Sequence, residues 1–287
     1  MDVLLSHSFD YLSSYDAGKI RKGLRQVEGL LAQICLSKSK TPAERRRSVL
    51  GPTNVQSPPK ELSSLKDDAA FREFFRLQEG FEWNVAIRLI STLERLLGKS
   101  TTGANELLII STLDLIQGVL LLHPSSRSLF AREVYMNLLL DLLEPSNCPA
   151  VQSATLLTLV TALLENPQNT RTFEALDGLL TVTSLFKARG TSREVKLKLV
   201  EFLYFYLMPE TPAMTMASAA PSVAVGLQRT PSKMQDRRHS TAMGSPRKDV
   251  AKTTEEKQEM LGRYLNNVED LVEDLQDSAP FGGTVVQ

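Results

Sequence analysis

The chain has 287 residues, in which 33 lysines and arginines balance 33 aspartates and glutamates, so its formal charge is zero. Zero net charge argues against a dedicated nucleic-acid binder, since such proteins normally carry a basic excess. Apolar residues at 42% and charged residues at 23% are typical of a globular protein with a sizeable core.

Metal and disulfide chemistry are disfavoured by the small number of cysteines and histidines. Two cysteines, Cys35 and Cys148, cannot build a disulfide framework or a Cys-rich zinc module. None of the three histidines has a second histidine or cysteine at ligand spacing; they are His7, His123 and His239. We therefore expect no metal site and no cofactor.

The sequence predicts neither a targeting segment nor a membrane span. The first seven residues lack the basic region and apolar stretch of a signal peptide. The longest apolar-rich run, Leu107–Leu122, contains polar residues and is shorter than the roughly 20 residues that lipid requires. We expect a soluble intracellular protein without membrane insertion.

The chain begins with a helical segment over residues 1–36. Apolar residues such as Leu24, Val27 and Leu31 recur there at three- and four-residue steps, which predicts a helix from about Ala17 to Leu36. Residues 37–60 instead combine basic residues with prolines. Such a segment buries too little apolar surface to offset its ordering entropy, so we predict a disordered loop.

Helical periodicity returns over residues 61–208. The predicted helices in its second part are separated by proline, glycine and asparagine breaks, and span residues 107–122, 128–143, 152–164, 171–187 and 192–207. No run of alternating apolar and polar residues appears in this region. The predicted fold class is therefore all-α.

The helical region also repeats itself. A shift of 43 residues superposes proline and apolar positions: Pro124 on Pro167, Phe130 on Phe173, and Leu142 on Leu185. A period of about 40–47 residues with two or three helices is that of armadillo and HEAT repeats, whose units stack to cover their apolar faces. We predict an armadillo/HEAT-like helical repeat stack. The alternative is an irregular helical bundle whose leucine-rich helices match by chance.

The C-terminal part of the chain is predicted to be a tether with a helix attached. Residues 209–252 are rich in proline, serine, threonine and alanine, which predicts disorder. Thr253 and Glu256 have the spacing of a capping box at the start of an acidic amphipathic helix over residues 253–277. Residues 278–287 form a tail.

No motif in the sequence indicates catalysis. The Walker phosphate loop, Gly-x-Ser-x-Gly and His-Glu-x-x-His are absent. Neither cysteine begins a Cys-x5-Arg loop, because Thr41 and Ala154 stand six residues after them. His123 precedes Pro124 as Asn166 precedes Pro167, which favours a role at a helix end. We predict no catalytic residues and a non-enzyme; a site assembled across repeats is the enzymatic alternative.

The helix near residues 195–207 is the predicted interaction surface. It is apolar nearly all round, so both of its sides need to be covered. Phe202, Tyr204 and Phe205 are the candidate partner-binding residues, since aromatic anchors dominate interface energetics. Two occupants stay open from the sequence: a partner protein, or the chain's own helix 253–277 folded back over the aromatic residues.

The two predicted disordered segments carry phosphorylation motifs. Ser57, Thr230 and Ser245 lie in Ser/Thr-Pro-x-basic patterns typical of cyclin-dependent kinase substrates. Ser48 follows Arg45-Arg46-Arg47, and Ser240 follows Arg237-Arg238-His239, in the pattern of a basic-directed kinase. A phosphate would reverse the local charge of these basic segments. An accident of composition is the competing interpretation.

Four stretches of the chain resemble the fungal cell division control protein 14 family, components of the septation initiation network. They are FREFFRLQEGFEWN (71–84), HPSSRSLF (123–130), NPQNTRTFE (166–174) and KLKLVEFLYFYLMP (196–209). The resemblance covers roughly residues 9–209. A dual-specificity phosphatase of budding yeast shares the family's name, but the missing Cys-x5-Arg loop excludes it here.

This resemblance implies a non-catalytic scaffold subunit that binds a germinal-centre (Ste20-like) protein kinase. The pair would act at the spindle pole body, with spindle pole scaffold proteins as further partners, and promote septum formation and cytokinesis at mitotic exit. The expected location is cytoplasmic, at the spindle pole body and the division site. A generic armadillo-type adaptor, including a transport adaptor, is the alternative.

Overall fold

The computed structural model describes residues 1–36, 60, 62–98, 105–210, 251–266 and 268. Within these residues the regular structure is helical, and no β-strand is present. The all-α prediction is confirmed. The helices are α1 (Asp2–Leu12), α2 (Ala17–Cys35), α3 (Leu62–Leu65), α4 (Ala69–Glu79), α5 (Val85–Leu97), α6 (Glu106–Leu122), a 3-10 helix (Pro124–Ala131), α7 (Glu133–Asp141), α8 (Pro149–Leu163), α9 (Pro167–Ala175), α10 (Gly178–Lys187), α11 (Arg193–Leu207) and α12 (Thr254–Gly262).

Polar side chains and prolines fix where these helices begin. Asp16, Asn84 and Ser192 each accept a hydrogen bond from a backbone N–H in the first turn of the helix that follows. Pro124 and Pro167 stand in the first turn of their helices, where the missing N–H is not needed. The sequence breaks therefore act as local start signals.

The first two helices pack into the same hydrophobic core as the helices that follow. α1 packs along α2, and Gly23 allows the close approach: a Cβ there would lie 3.0 Å from the Ser8 carbonyl oxygen. Leu12 is buried, and its carbonyl oxygen accepts hydrogen bonds from Thr92, at 3.4 Å, and from Arg95 on α5. The N-terminal helical pair is thus joined to α5 and, through α2, to α6.

The long helices pack in series. α5 contacts α6, α6 contacts α8, and α8 contacts α11, while the 3-10 helix contacts α9 in the same direction along the stack. The Thr158 hydroxyl donates to the Leu113 carbonyl at 3.4 Å, and Asn169 Nδ2 donates to the Arg127 carbonyl at 2.7 Å. Each predicted repeat unit thus contacts the next one through helices that are separated by about one 43-residue period.

Residues related by the 43-residue shift occupy matching environments. His123 and Asn166 have nearly the same backbone angles, φ −130° and ψ 82° against φ −133° and ψ 84°. Phe130 and Phe173 are both fully buried. These agreements favour the repeat interpretation over a chance match of leucine-rich helices, and the repeat stack stays an interpretation of this packing.

Two predicted helices are wrong because each is divided. The predicted helix 128–143 is a 3-10 helix and α7, separated by Arg132, whose backbone is extended at φ −82° and ψ 125°. The predicted helix 171–187 is α9 and α10, separated at Asp177, which has a left-handed φ of 56°. Gly178 follows because a Cβ there would lie 2.2 Å from the Phe173 ring. Each complete unit therefore has three helices.

Candidate interaction site at the end of the stack

The C-terminal segment begins with the predicted capping box. The Thr253 hydroxyl accepts from the Glu256 N–H at 3.3 Å, and Glu256 Oε2 accepts from the Thr253 N–H at 2.9 Å. α12 ends at Gly262, with a turn at Arg263 and Tyr264, so it does not continue unbroken to residue 277. Residues 269–277 lie outside the described part of the chain.

α12 lies against α11, the last long helix of the stack. Leu261 is fully buried and Val268 is 3% exposed. Lys257, also 3% exposed, donates from Nζ to the carbonyl oxygens of Tyr206 and Met208, each at 2.8 Å. Those carbonyls belong to the end of α11, where helical partners run out. Lys257 of α12 therefore caps the C-terminal end of α11.

A cluster of five charged residues joins this segment to α9 and to the end of α11. We call it the terminal charge cluster, and it consists of Arg171, Glu174, Glu210, Lys252 and Lys257. Glu210 Oε1 lies 2.6 Å from Arg171 Nη2 and 3.1 Å from Lys257 Nζ. Glu174 Oε2 lies 2.7 Å from Lys252 Nζ. Both carboxylates are nearly buried, so each cation compensates a charge that water does not reach.

Tyr206 ties the cluster to the aromatic core. Its hydroxyl donates to Glu174 Oε1 at 2.7 Å, and its ring lies beside that of Phe173. Burial, together with the Glu174 carboxylate, raises the pKa of Tyr206 far above its usual value, so the phenol stays a donor. Burial lowers the pKa of Lys257, and the Glu210 carboxylate opposes that shift. Glu210 is thus what favours the charged form of Lys257.

The three predicted partner-binding residues fall in two environments. Phe202 is 1% exposed and packs edge-on against Phe173, with ring centroids 5.6 Å apart, so it belongs to the core in this conformation. Tyr204 and Phe205 are half-buried, and Phe205 packs against Phe202. Phe205 also lines a small cleft of about 130 Å³ together with Lys257 of α12. Partner binding by these residues stays a prediction.

Of the two occupants left open by the sequence, the structure shows the chain's own C-terminal segment on this end of the stack. Residues 251–266 contact α9, α10 and α11; for example, Lys187 Nζ donates to the Tyr264 carbonyl at 2.5 Å. The apolar character of α11 therefore has an internal explanation. The five phosphorylation candidates, Ser48, Ser57, Thr230, Ser240 and Ser245, all lie outside the described residues.

Sequence reasoning missed the terminal charge cluster. Arg171 and Glu174 are three residues apart on one helix, which is a weak local signal. Lys252 pairs with Glu174, 78 positions away, and Lys257 pairs with Glu210, 47 positions away. No periodicity marks such a pair, and these lysines resemble solvated charges in the sequence.

His123 has the role at a helix end that the sequence favoured. It precedes the 3-10 helix, its Nδ1 lies 2.8 Å from the Ser126 hydroxyl, and its ring meets Phe75 edge-on at 4.5 Å. Burial lowers the pKa of His123 below 6.5, and Glu79 opposes the shift. Nε2 is buried without a partner among the described residues, which disfavours the imidazolium form.

Replacing His123 with asparagine should make stability less dependent on pH. The unfolded chain binds the proton more readily than the folded one, so the contribution of His123 is complete above pH 6.5 and is lost as the pH falls toward the lower folded pKa. His123→Asn introduces the residue found at the matching position 166, where the side chain caps the helix, and asparagine has no proton to bind. Urea unfolding at pH 7.5 and 5.5 should show a smaller loss for the variant. Equal losses of unfolding free energy between pH 7.5 and 5.5 in both proteins would contradict the assignment of a lowered pKa to folded His123.

The described residues contain no cluster of three or more histidine, cysteine, aspartate or glutamate side chains able to hold a metal ion. Cys35 and Cys148 are unpaired thiols that are partly buried. Burial raises the pKa of Cys35, which lowers its thiolate fraction and hence its reactivity. In this part of the chain, the polar side chains that are brought together form caps and ion pairs.

As for the membrane, none of the described helices is by itself both long and apolar enough to cross one. α6 and the 3-10 helix together have the length and apolar composition of a membrane span, but the chain bends by 119° between them.

Comparison with known proteins identifies the family. Residues 1–281 match the family described as cell division control protein 14, SIN component. Cell division control protein 14 of Schizosaccharomyces pombe is 27% identical over 290 residues, an alignment that covers 98% of this chain and 97% of that protein. No solved structure matches the chain. The chain therefore belongs to the cell division control protein 14 family of SIN components.

Proposed function

We propose that this protein is a non-catalytic regulatory subunit that binds a germinal-centre (Ste20-like) protein kinase in the septation initiation network. Membership of the SIN component family is the observation that carries the proposal. The pair would act at the spindle pole body and promote septum formation at mitotic exit. A stack of helices with buried ion pairs and caps suits this role, because it presents a rigid surface to a partner.

The end of the stack is the proposed kinase-binding surface. Tyr204 and Phe205 are half-buried, and Phe205 lines a cleft with Lys257 of the short helix α12. Partly exposed aromatic side chains next to a compact core are typical anchors of protein interfaces. The kinase would contact this face together with the outer side of α12.

Affinity purification from mitotic extract tests the kinase proposal. The tagged intact chain should recover a Ste20-like kinase, and recovery without any kinase of this class would contradict the proposal. Tyr204→Ala/Phe205→Ala should recover less kinase. Val3→Ala, at a residue 74% exposed on α1, is the matched control and should recover as much as the intact chain. Equal recovery by all three would leave the kinase role standing and refute the proposed surface.

We further propose that phosphorylation regulates this binding. Ser57, Thr230 and Ser245 would be the cyclin-dependent sites, and Ser48 and Ser240 the basic-directed sites. Each phosphate adds about −1.5 to −2 charges, which would reverse the sign of the surrounding basic segment. Phosphopeptide mapping of the chain from mitotic and interphase cells should show modification at these residues in mitosis, and their absence in mitosis would contradict the proposal.

A further inference from the structure

A second apolar surface lies away from the terminal charge cluster, where α4 faces the junction of α6 and the 3-10 helix. We call it the α4 groove; its volume is about 680 Å³. Its apolar walls are Phe71 and Phe75 on α4 and Leu121 and Leu122 at the end of α6. Both phenylalanines are half-buried, and Leu121 is 52% exposed. An apolar surface of this kind, open to water, is typical of an interaction site.

The rim of the α4 groove is basic. Lys66, Arg72 and Arg76 line it and are exposed, against the one carboxylate of Glu79. Among the residues that the structure describes, none of the three cations has an acidic group within 4 Å. Their charges are therefore available to pair with carboxylates of a bound segment. A bound segment with carboxylates at its edges would complement it.

At its other end, the same edge of the stack forms a cleft that a side chain of α12 enters. The junction of α8 and α9, with Leu164 and Pro167, forms one wall of the cleft that Lys257 of α12 enters. Leu121 and Pro124 are the counterparts of those residues by the 43-residue shift, and they line the α4 groove. The second wall is α11 in the first case and α4 in the second. At both positions this edge of the stack thus forms an open cleft with a second helix of the fold.

We propose that the α4 groove binds an amphipathic helix with acidic flanks from a partner protein. Phe71 and Phe75 are one helical turn apart, with ring centroids separated by 6.0 Å, which matches apolar side chains spaced at i and i+4 on a bound helix. The two phenylalanines and Leu121 would hold the apolar face. Lys66, Arg72 and Arg76 would pair with carboxylates on either side of it.

Peptide binding to the purified full chain tests this proposal directly. The probe is a fluorescein-labelled helical peptide of roughly 16 residues, with leucines at i, i+3 and i+4 and glutamates elsewhere. Fluorescence anisotropy should show binding to the wild type. Arg72→Glu/Arg76→Glu should weaken it by roughly tenfold or more, because two attractive contacts become repulsive. The same peptide with lysines in place of glutamates should bind this variant more tightly than it binds the wild type.

Two further variants locate the binding. Leu121→Glu places a charge on the apolar wall at an exposed position, so it should abolish binding without unfolding the protein. Arg189→Glu/Arg193→Glu changes the net charge equally at exposed residues near the start of α11, and it should bind like the wild type. Circular dichroism checks that each variant is folded.

Three results would overturn the proposal. The first is that the wild type fails to bind the acidic peptide. The second is that the control double variant loses as much affinity as the groove variant. The third is that the wild type sediments as a dimer that the peptide dissociates, which would make a second copy the occupant of the groove. Because no kinase is present in these assays, their failure is separate from a failure of the proposed kinase binding.

Discussion

Replacing Glu210 with glutamine should release the C-terminal segment from the end of the stack. The substitution keeps the shape of the side chain but removes the charge that Arg171 and Lys257 share, at 2.6 and 3.1 Å. Lys257 is 3% exposed and would lose its ion-pair partner, which leaves Glu174 as a more distant compensating charge. Breaking a buried pair from one side costs about 3–5 kcal/mol. Since α12 is short, we expect that loss to detach it.

Hydrogen exchange of the amides of residues 254–262 measures the release. In the Glu210→Gln protein these amides should exchange much faster than in the wild type, while those of α6 and α8 stay protected. Glu201→Gln is the matched control on α11, because Glu201 pairs with Lys198 at the surface and such pairs contribute at most about 1 kcal/mol. Unchanged protection of α12 in Glu210→Gln would show that the terminal charge cluster does not hold the segment.

Truncating Phe173 or Phe130 to alanine should strongly destabilise the fold. Both side chains are fully buried, and Phe173 contacts the rings of Phe202 and Tyr206. Removing a buried phenylalanine costs about 3–5 kcal/mol, through lost burial and the cavity that remains. Because the two residues are counterparts in adjacent units, the repeat interpretation predicts similar losses. Urea unfolding followed by circular dichroism gives both values.

Phe81→Ala is the control for these truncations. Phe81 is 72% exposed, so its loss should change the free energy of unfolding by less than about 0.5 kcal/mol. If Phe130→Ala were as mild as this control while Phe173→Ala was severe, the two positions would not be structurally equivalent. The matching of the units at these positions would then be wrong.

The fold class could be predicted from the sequence because its signals are local. Helical spacing of apolar residues, prolines at helix starts and the Thr253 capping box each act over a few residues, and each appears in the structure. The division of two predicted helices could not be predicted from the sequence. The extended backbone at Arg132 and the left-handed Asp177 interrupt stretches whose apolar spacing continues across the break. The break at Asp177 accompanies a close approach of Gly178 to the Phe173 ring, which apolar spacing does not reveal.

The candidate interaction site could be predicted only in part. The sequence marks the aromatic residues of α11 as candidates because this helix is unusually apolar, yet the same pattern leaves open whether a partner or the chain itself covers them. Lys257 and Glu210 place the chain's own α12 beside α11 in the structure, and their pairing joins positions far apart in the sequence. The sequence does not distinguish a buried lysine from a solvated one. Only the fold shows that Lys257 caps α11.

The most direct test of this account is reconstitution from purified components. The full chain is mixed with a purified Ste20-like kinase of the same organism, and sedimentation velocity is recorded for each protein and for the mixture. We predict one faster-sedimenting complex that forms without ATP or any third protein. Two unchanged boundaries at concentrations well above those in the cell would contradict the central claim that this SIN component is a kinase-binding subunit.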